Sequence, residues 1–393
     1  MSCQQVPFGD ILRLAQRKLA GDQLYPVMSI TMHNGLVDQD QKFKKRIASE
    51  DISTYKVVKN GNLVVGFPID EGVLGFQNKY EAAAVSPAYD IWESTGKHDF
   101  DRGYFERILR SPQARVIYAA KMRGTTNRRR TIPKDVFTEL LFPLPPLAEQ
   151  KRIAAILDAA DALRAKRRES LAQLDTLLQS TFLDIFGDPV TNPKGWEEKT
   201  IEEIVSDTKL GLVRSSEEFG WDFPIPYVRM DALTIDGKFL PDKVQYTDAN
   251  KKEKASYSLQ PGDLLFNTRN SKELVGKVCV YTGPQGWLFN NNLMRIRFKG
   301  GIEPNVIAAQ FQFQRVQREL EQRKSGTTSV FAVYWKSLKT LPVLVPPIDL
   351  QRRFATIVAS IEAQKGRLRQ HLAELDTLFA SLQQRAFNGE MLP

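Results

Sequence analysis

Two arrangements in this sequence have the outline of catalytic machinery, and each lacks a residue that the chemistry needs or is not kept in the chain's own repeat. Glu149-Gln150-Lys151, with Asp135 upstream, resembles the acid and lysine set of a metal-dependent nuclease. In such a site carboxylates hold the cation that activates water. The Pro145-Pro146 and Pro346-Pro347 pairs stand where a base-modifying methyltransferase would carry an Asn-Pro-Pro-aromatic motif. Here Leu144 and Val345 precede them, and neither can hydrogen-bond an exocyclic amine. The sequence has neither a glycine-rich cofactor loop nor the G-x-x-x-x-G-K-[ST] loop that cradles phosphates in motor proteins. His33, His98 and His371 are scattered, and Cys3 and Cys279 lie far apart. No zinc spacing and no disulfide framework results, and this cysteine usage fits a reducing cytoplasm.

The remaining chemistry is basic and polar. The chain carries 55 Lys and Arg against 46 Asp and Glu, a formal net charge of +9, which favours a polyanionic partner. Clusters stand at Lys42, Lys44, Lys45 and Arg46, at Arg128, Arg129 and Arg130, and at Lys251, Lys252 and Lys254. Lys and Arg contact phosphates and read guanine. Each such residue taken singly is more readily a solvated surface charge, and the clusters are the better candidates for backbone contact. The candidate DNA contacts are Lys42, Lys44, Arg128 and Arg129 in the first half of the chain. In the second half they are Arg229, Asn267, Arg269, Lys272, Ser325, Thr327 and Thr328. The Ser and Thr beside Gly326 could instead close a turn.

What must position these residues is written twice. Sliding the chain by 201 residues aligns Leu140–Gly187 with Leu341–Asn388 without a gap, and 17 of the 48 pairs are identical. Unrelated segments share roughly one residue in sixteen, about three here, so the match is an internal duplication. Its landmarks are the Pro-Pro pair, Gln150-Lys151-Arg152 against Gln351-Arg352-Arg353, and Leu-Asp-Thr-Leu at 174 to 177 and 375 to 378. The duplication also disposes of the nuclease triplet. Glu149 becomes Leu350 in the second copy while the Gln persists, so helix-start chemistry is the retained feature.

After each Pro-Pro pair about forty residues run with apolar positions every three or four, which predicts a long helix. The second copy has a heptad line at Phe354, Ile361, Leu368, Leu375 and Leu382, with Ile357, Val358, Leu372, Leu378 and Phe379 beside it. The first has Ile153, Ala160 and Leu174, interrupted by Arg167, with Leu163 and Leu177 among its flanking residues. A helix of forty residues is on the order of 60 Å long and needs a partner. Pairing of the two copies as an antiparallel coiled coil, in a pseudo-two-fold symmetric molecule, is the economical expectation.

The blocks between the helices are strand-rich, with runs such as Leu63-Val64-Val65, Lys277–Tyr281 and Leu293–Phe298 among Gly, Pro and Asn turns. Gly61-Asn62-Leu63 precedes Gly262-Asp263-Leu264 by 201 residues, yet the two blocks otherwise differ widely. The expected fold is therefore α+β: two strand-rich globules, residues 1–143 and 188–343, joined by helices in 144–187 and 344–393. The N-terminus lacks the apolar core of a signal peptide, and no stretch approaches the roughly 20 apolar residues of a membrane span. A soluble cytoplasmic protein with no membrane contact is expected.

With these motifs in view, the sequence resembles the specificity subunits of type I restriction-modification systems over essentially its whole length. The carrying segments are PLPPLAEQKRIAAILD (143 to 158), VPPIDLQRRFATIV (345 to 358), LDTLFASLQQRAFNGEML (375 to 392), SPAY (86 to 89), YVRMDAL (227 to 233) and GDLLFNTR (262 to 269). The resemblance implies a non-catalytic subunit in which two target-recognition domains each read one half of a bipartite, asymmetric site in double-stranded DNA. The helices would set the spacing and dock two methyltransferase subunits and, in many members, two restriction or translocase subunits. No cofactor would bind this chain; S-adenosylmethionine, ATP and Mg2+ would belong to the partner subunits. The competing expectation is a coiled-coil scaffold whose globules bind proteins.

Overall fold

The computed structural model describes residues 4–32, 34–39, 52–123, 131–326 and 329–391. Two compact units divide the chain. One comprises residues 1–169 and 369–393, the other residues 170–368. Each contains a globule together with the first half of one long helix and the second half of the other. The long helices are Leu147–Phe186 and Ile348–Phe387, forty residues apiece.

In the second unit the central sheet has four antiparallel strands in the spatial order Val205–Leu210, Leu293–Phe298, Leu264–Asn267, Val278–Val280. In the first unit the order is Leu12–Leu14, Asp90–Ser94, Leu63–Val65, Leu74–Phe76, again antiparallel throughout. The succession of strands along the chain is the same in both. The likeness extends outward: Gln5–Pro7 pairs with Leu141–Pro143 as Glu197–Thr200 pairs with Pro342–Val345. Helices Arg102–Leu109 and Pro112–Lys121 correspond to Pro304–Gln310 and Gln314–Arg323. The duplication legible in the helices therefore includes the globules, where side chains have diverged but strand order has not.

Local chemistry explains the boundaries. Asp101 accepts from the Tyr104 amide and Ser111 from the Ala114 amide, each capping the helix that follows, the second with proline at its first turn. The first sheet buries an aromatic cluster of Phe8, Trp92, Phe105, Phe137 and Phe142. The second packs Leu264, Phe266, Val278 and Ile296 against Ile307, Phe311 and Leu320. Burial of such side chains, about 1.5 to 3 kcal/mol each, holds the helices onto one sheet face.

The motif that opens each long helix has a structural role. Gln150 is fully buried; its amide nitrogen donates to the Pro145 carbonyl at 2.7 Å and its oxygen accepts from the Asp101 amide at 2.7 Å. Gln351 repeats this with Pro346 at 2.7 Å and the Glu303 amide at 2.9 Å. The repeated Gln thus clamps the Pro-Pro entry to the cap of a globule helix.

Within each unit the helix halves run antiparallel. In the first unit Arg164 reaches Asp376 at 2.6 Å and its guanidinium lies 4.3 Å from the Phe379 ring centre. In the second, Lys365 reaches Asp175 at 2.7 Å, and Phe182 and Phe186 pack on Phe354. The heptad line is confirmed where Phe354 and Ile361 are buried. Leu163, Leu177 and Leu378, expected beside the seam, are instead 55%, 47% and 50% exposed. A helix pair covers only a narrow stripe of each partner, and these positions fall at its margin. Among the described residues no helix is long and apolar enough to cross a membrane.

Candidate nucleic-acid interface

The strand register of the second unit brings several chain segments out at one end of its sheet. Asn267, the last residue of its strand, pairs with Leu293, the first of the next, and Leu210 pairs with Met294. Val228 runs parallel beside Phe289. Residues 211–214, 229, 268–272 and 290–292 therefore emerge together. A small antiparallel ribbon continues this end: Arg269–Asn270 pairs with Phe331–Ala332, which pairs with Ser325–Gly326. The Val333 amide fastens it to the Thr268 carbonyl at 3.0 Å.

Most of the described residues expected to meet DNA lie at this end. Arg269 is exposed, 5.6 Å from the ring centre of Tyr334, which is itself 51% exposed. Lys272 lies 5.9 Å from the Phe331 ring centre and 3.3 Å from Glu321. Lys324 donates to the Lys272 carbonyl at 2.7 Å, adding a cation that is not among the candidates drawn from the sequence. Arg229 follows the strand Ile225–Val228 and is held only loosely by Asp231, at 3.9 Å. Ser325 donates to the Ala332 carbonyl at 3.3 Å, a ribbon contact of the turn-closing kind. Thr327 and Thr328 lie outside the described residues, as do Lys42, Lys44, Arg128 and Arg129.

Asn267 is a correction. Its side chain is fully buried, its amide nitrogen donates to the Arg269 and Asn292 carbonyls at 3.0 Å each, and its oxygen accepts from Asn270 at 2.9 Å. No face is left for a base. The sequence suggested a polar residue at a strand end, and burial turned it into a support for the neighbouring turn.

That turn, Asn290–Asn292, is tied from several directions. The Asn290 amide donates to the Val228 carbonyl at 2.9 Å, and its side-chain nitrogen donates to the Tyr227 hydroxyl at 3.2 Å. Tyr227 in turn donates to the Leu212 carbonyl at 2.6 Å. Burial pushes the Tyr227 hydroxyl above its ordinary value of 10, so it stays a neutral donor. The Asn292 carbonyl accepts from the Thr268 amide at 2.8 Å and from the Thr268 hydroxyl and Asn267 amide at 3.0 Å each. Gly211 allows the next strand to pass, because a Cβ there would stand 2.2 Å from the Asn290 carbonyl oxygen.

The corresponding end of the first unit carries the exposed Arg17 and Lys18 beyond the strand Leu12–Leu14. Lys134 pairs with Asp90 at 2.9 Å, and Lys56 donates to the Tyr89 carbonyl at 2.5 Å. Desolvation holds the Lys56 ammonium below its ordinary pKa. A cleft of about 90 Å³ lies there among Phe67, Asp90, Trp92 and Lys134. None of these cations forms a run, which is why the sequence did not single them out. They converge only because three strands end together.

Both globules thus belong to one class, small α+β domains that present polar and basic turns at a common sheet end. Residues 193–376 match the family described as type I restriction modification DNA specificity domain. Across 275 residues the chain is 26% identical to the EcoKI specificity subunit of Escherichia coli K12, covering 65% of this chain and 58% of that protein. Against the StySPI specificity subunit of Salmonella potsdam it is 24% identical over 282 residues, with the same two coverages of 65% and 58%. The chain therefore spans less than two thirds of the length of these relatives. In fold it is similar to a chain of a solved structure described as the basis of complex assembly and conformational transition of the type I R-M system. That likeness has a TM-score of 0.60 at 19% identity and covers 98% of this chain and 97% of the other. The S subunit from M. genitalium gives a TM-score of 0.55 at 14% identity, with coverages of 98% and 96%. Residues 193–376 thus carry the match to the specificity-domain family, and the chain is similar to type I restriction enzyme specificity subunits.

Proposed function

We propose that this chain is the non-catalytic, DNA-reading subunit of a type I restriction-modification complex. Each globule reads one half of a bipartite site in double-stranded DNA. The observation that carries this reading is the repeated sheet end, the same in strand order and different in its side chains. Domains built alike but surfaced differently suit two unlike targets on one duplex. Phosphate contacts supply the sequence-independent affinity and base contacts the discrimination.

The long helices act as spacer and docking surface in this proposal. Their duplicated sequence offers two near-equivalent faces to two identical methyltransferase subunits, with restriction or translocase subunits joining where a system has them. S-adenosylmethionine, ATP and Mg2+ serve those partners. Successive turns of the major groove lie about 34 Å apart, a span that helices on the order of 60 Å can bracket.

The test is to coexpress the chain with a cognate methyltransferase subunit and map modified adenines in the host DNA. A bipartite motif with a fixed gap is expected. A continuous palindrome, or no modification that depends on this chain, overturns the proposal, and DNA binding that does not weaken with salt favours a protein-binding scaffold instead.

A further inference from the structure

Asn291 sits at the centre of the Asn290–Asn292 turn, and its surroundings are unlike those of its neighbours. Asn290 is engaged through its side chain, which also accepts from the Asn292 amide at 2.8 Å. Asn292 is engaged through its backbone. The Asn291 side chain is half-buried and has no hydrogen-bond partner among the described residues. Its carboxamide, with two donors and an acceptor, is therefore open to a ligand arriving from solvent.

The support around it is fixed from three segments: Leu212 and Tyr227 on one side, Asn267-Thr268 on the other. The Leu293 amide closes the turn on the Asn290 carbonyl at 2.8 Å. A rigid turn with one free side chain is how a recognition group is preorganised, because the ordering entropy is lost on folding and not on binding. Arg229 and Arg269 leave the two flanking strands at the same end. They place cations on either side of it, where a duplex backbone would pass.

We propose that Asn291 reads an adenine in the half-site of the second domain, donating to N7 and accepting from the N6 amino group in the major groove. This rests on the proposed DNA-reading function. Asn267, the more conspicuous asparagine in the sequence, instead shapes the turn that presents Asn291.

The experiment uses the full chain and a duplex containing the motif found by adenine mapping, with a scrambled duplex as control. Each adenine of the second half-site is replaced in turn by 7-deazaadenine, which lacks the N7 acceptor. One replacement should weaken wild-type binding roughly 10-fold, within the range of a bidentate pair. Asn291→Ala should lose a similar factor on the natural site, show no further loss on that modified duplex, and bind scrambled DNA as wild type does. Asn291→Asp, nearly isosteric, should lose at least as much. Unchanged thermal unfolding of both variants shows that the turn is intact. A deazaadenine penalty that persists in Asn291→Ala overturns the assignment. So does an equal loss on scrambled DNA, or insensitivity at every adenine. If wild type fails to distinguish the motif from scrambled DNA, the DNA-reading function falls and this assignment with it.

Discussion

Arg164 donates to Asp376 at 2.6 Å, and the residues 201 positions away on each side repeat the contact, Lys365 meeting Asp175 at 2.7 Å. Each cation also holds an acid one turn earlier on its own helix, Asp161 at 2.8 Å and Glu362 at 2.7 Å. The Asp of each Leu-Asp-Thr-Leu motif is therefore the partner of the other helix, in the same register in both units. A polar pair within an apolar seam penalises neighbouring registers, which is its best-attested use.

The two partners in the second unit should not be equivalent. Lys365 is 1% exposed, whereas Asp175 is 43% exposed and also bonded to Lys238 at 3.0 Å. Burial alone would raise the Asp175 carboxyl, but hydrogen bonds from Lys365 and Lys238 outweigh it and hold it below its ordinary value. Asp175→Ala leaves a buried ammonium with Glu362 alone and should lower stability by about 1.5 to 3 kcal/mol. Lys365→Met leaves a carboxylate still reached by Lys238 and by water, and should lower it by about 1 kcal/mol or less. Denaturant unfolding of both variants checks the order, and the reverse order would refute it.

Gln150→Ala and Gln351→Ala should each cost about 2 to 3 kcal/mol, since each strands a buried amide hydrogen and carbonyl at the helix entry. The sites share no partner, so the double variant should be additive to within about 0.5 kcal/mol. Chemical denaturation of the three variants measures both points.

Gly211→Ala should disturb the Asn290 turn, because the new Cβ meets backbone carbonyls at 2.2 and 2.3 Å, and a backbone cannot rotate aside. A loss of about 2 kcal/mol or more in stability is expected from overpacking of this kind. Site-specific binding should weaken more than binding to scrambled DNA, which a filter or anisotropy titration resolves.

Arg269→Ala and Lys272→Ala should reduce affinity for all duplexes if they meet phosphate. Removing one phosphate-bound cation should flatten the dependence of log K on log salt by roughly 0.9. Binding measured between 50 and 200 mM salt tests this, and an unchanged slope in both variants would remove them from the interface.

Glu253 gives the pH dependence a definite sign. Arg214 donates to both of its oxygens, at 3.1 and 3.0 Å, and the Asn250 amide adds a third bond at 3.0 Å. The Arg214 bond above all holds the Glu253 carboxyl below its ordinary 4.5. A carboxylate depressed in the folded state stabilises above its unfolded pKa, and that contribution disappears as pH falls through the folded value. Glu253→Gln should therefore be less stable than wild type at pH 7, by roughly 1 kcal/mol for a partly exposed pair. The gap should shrink as pH falls through the ordinary carboxylate range and close once pH lies below the depressed folded value. Thermal unfolding between pH 3 and 7 shows whether the two curves converge.

By itself the sequence determined the duplicated helices, the Pro-Pro entries and the class of each globule, because these follow from periodicity and local backbone preferences. It also named Arg229, Arg269, Lys272 and Ser325 by residue type, and the fold brings them to one sheet end. Burial was beyond it. Asn267, at a strand end, and Asn291, in a turn, are the same residue type, and only the packing of separate segments engages one amide completely and leaves the other open. Lys365, a charge on the apolar line of Val358, Leu372 and Phe379, is buried and met there by a carboxylate of the opposite helix. Such outcomes depend on contacts between residues far apart in the chain, and a linear pattern carries no record of which strand ends will meet.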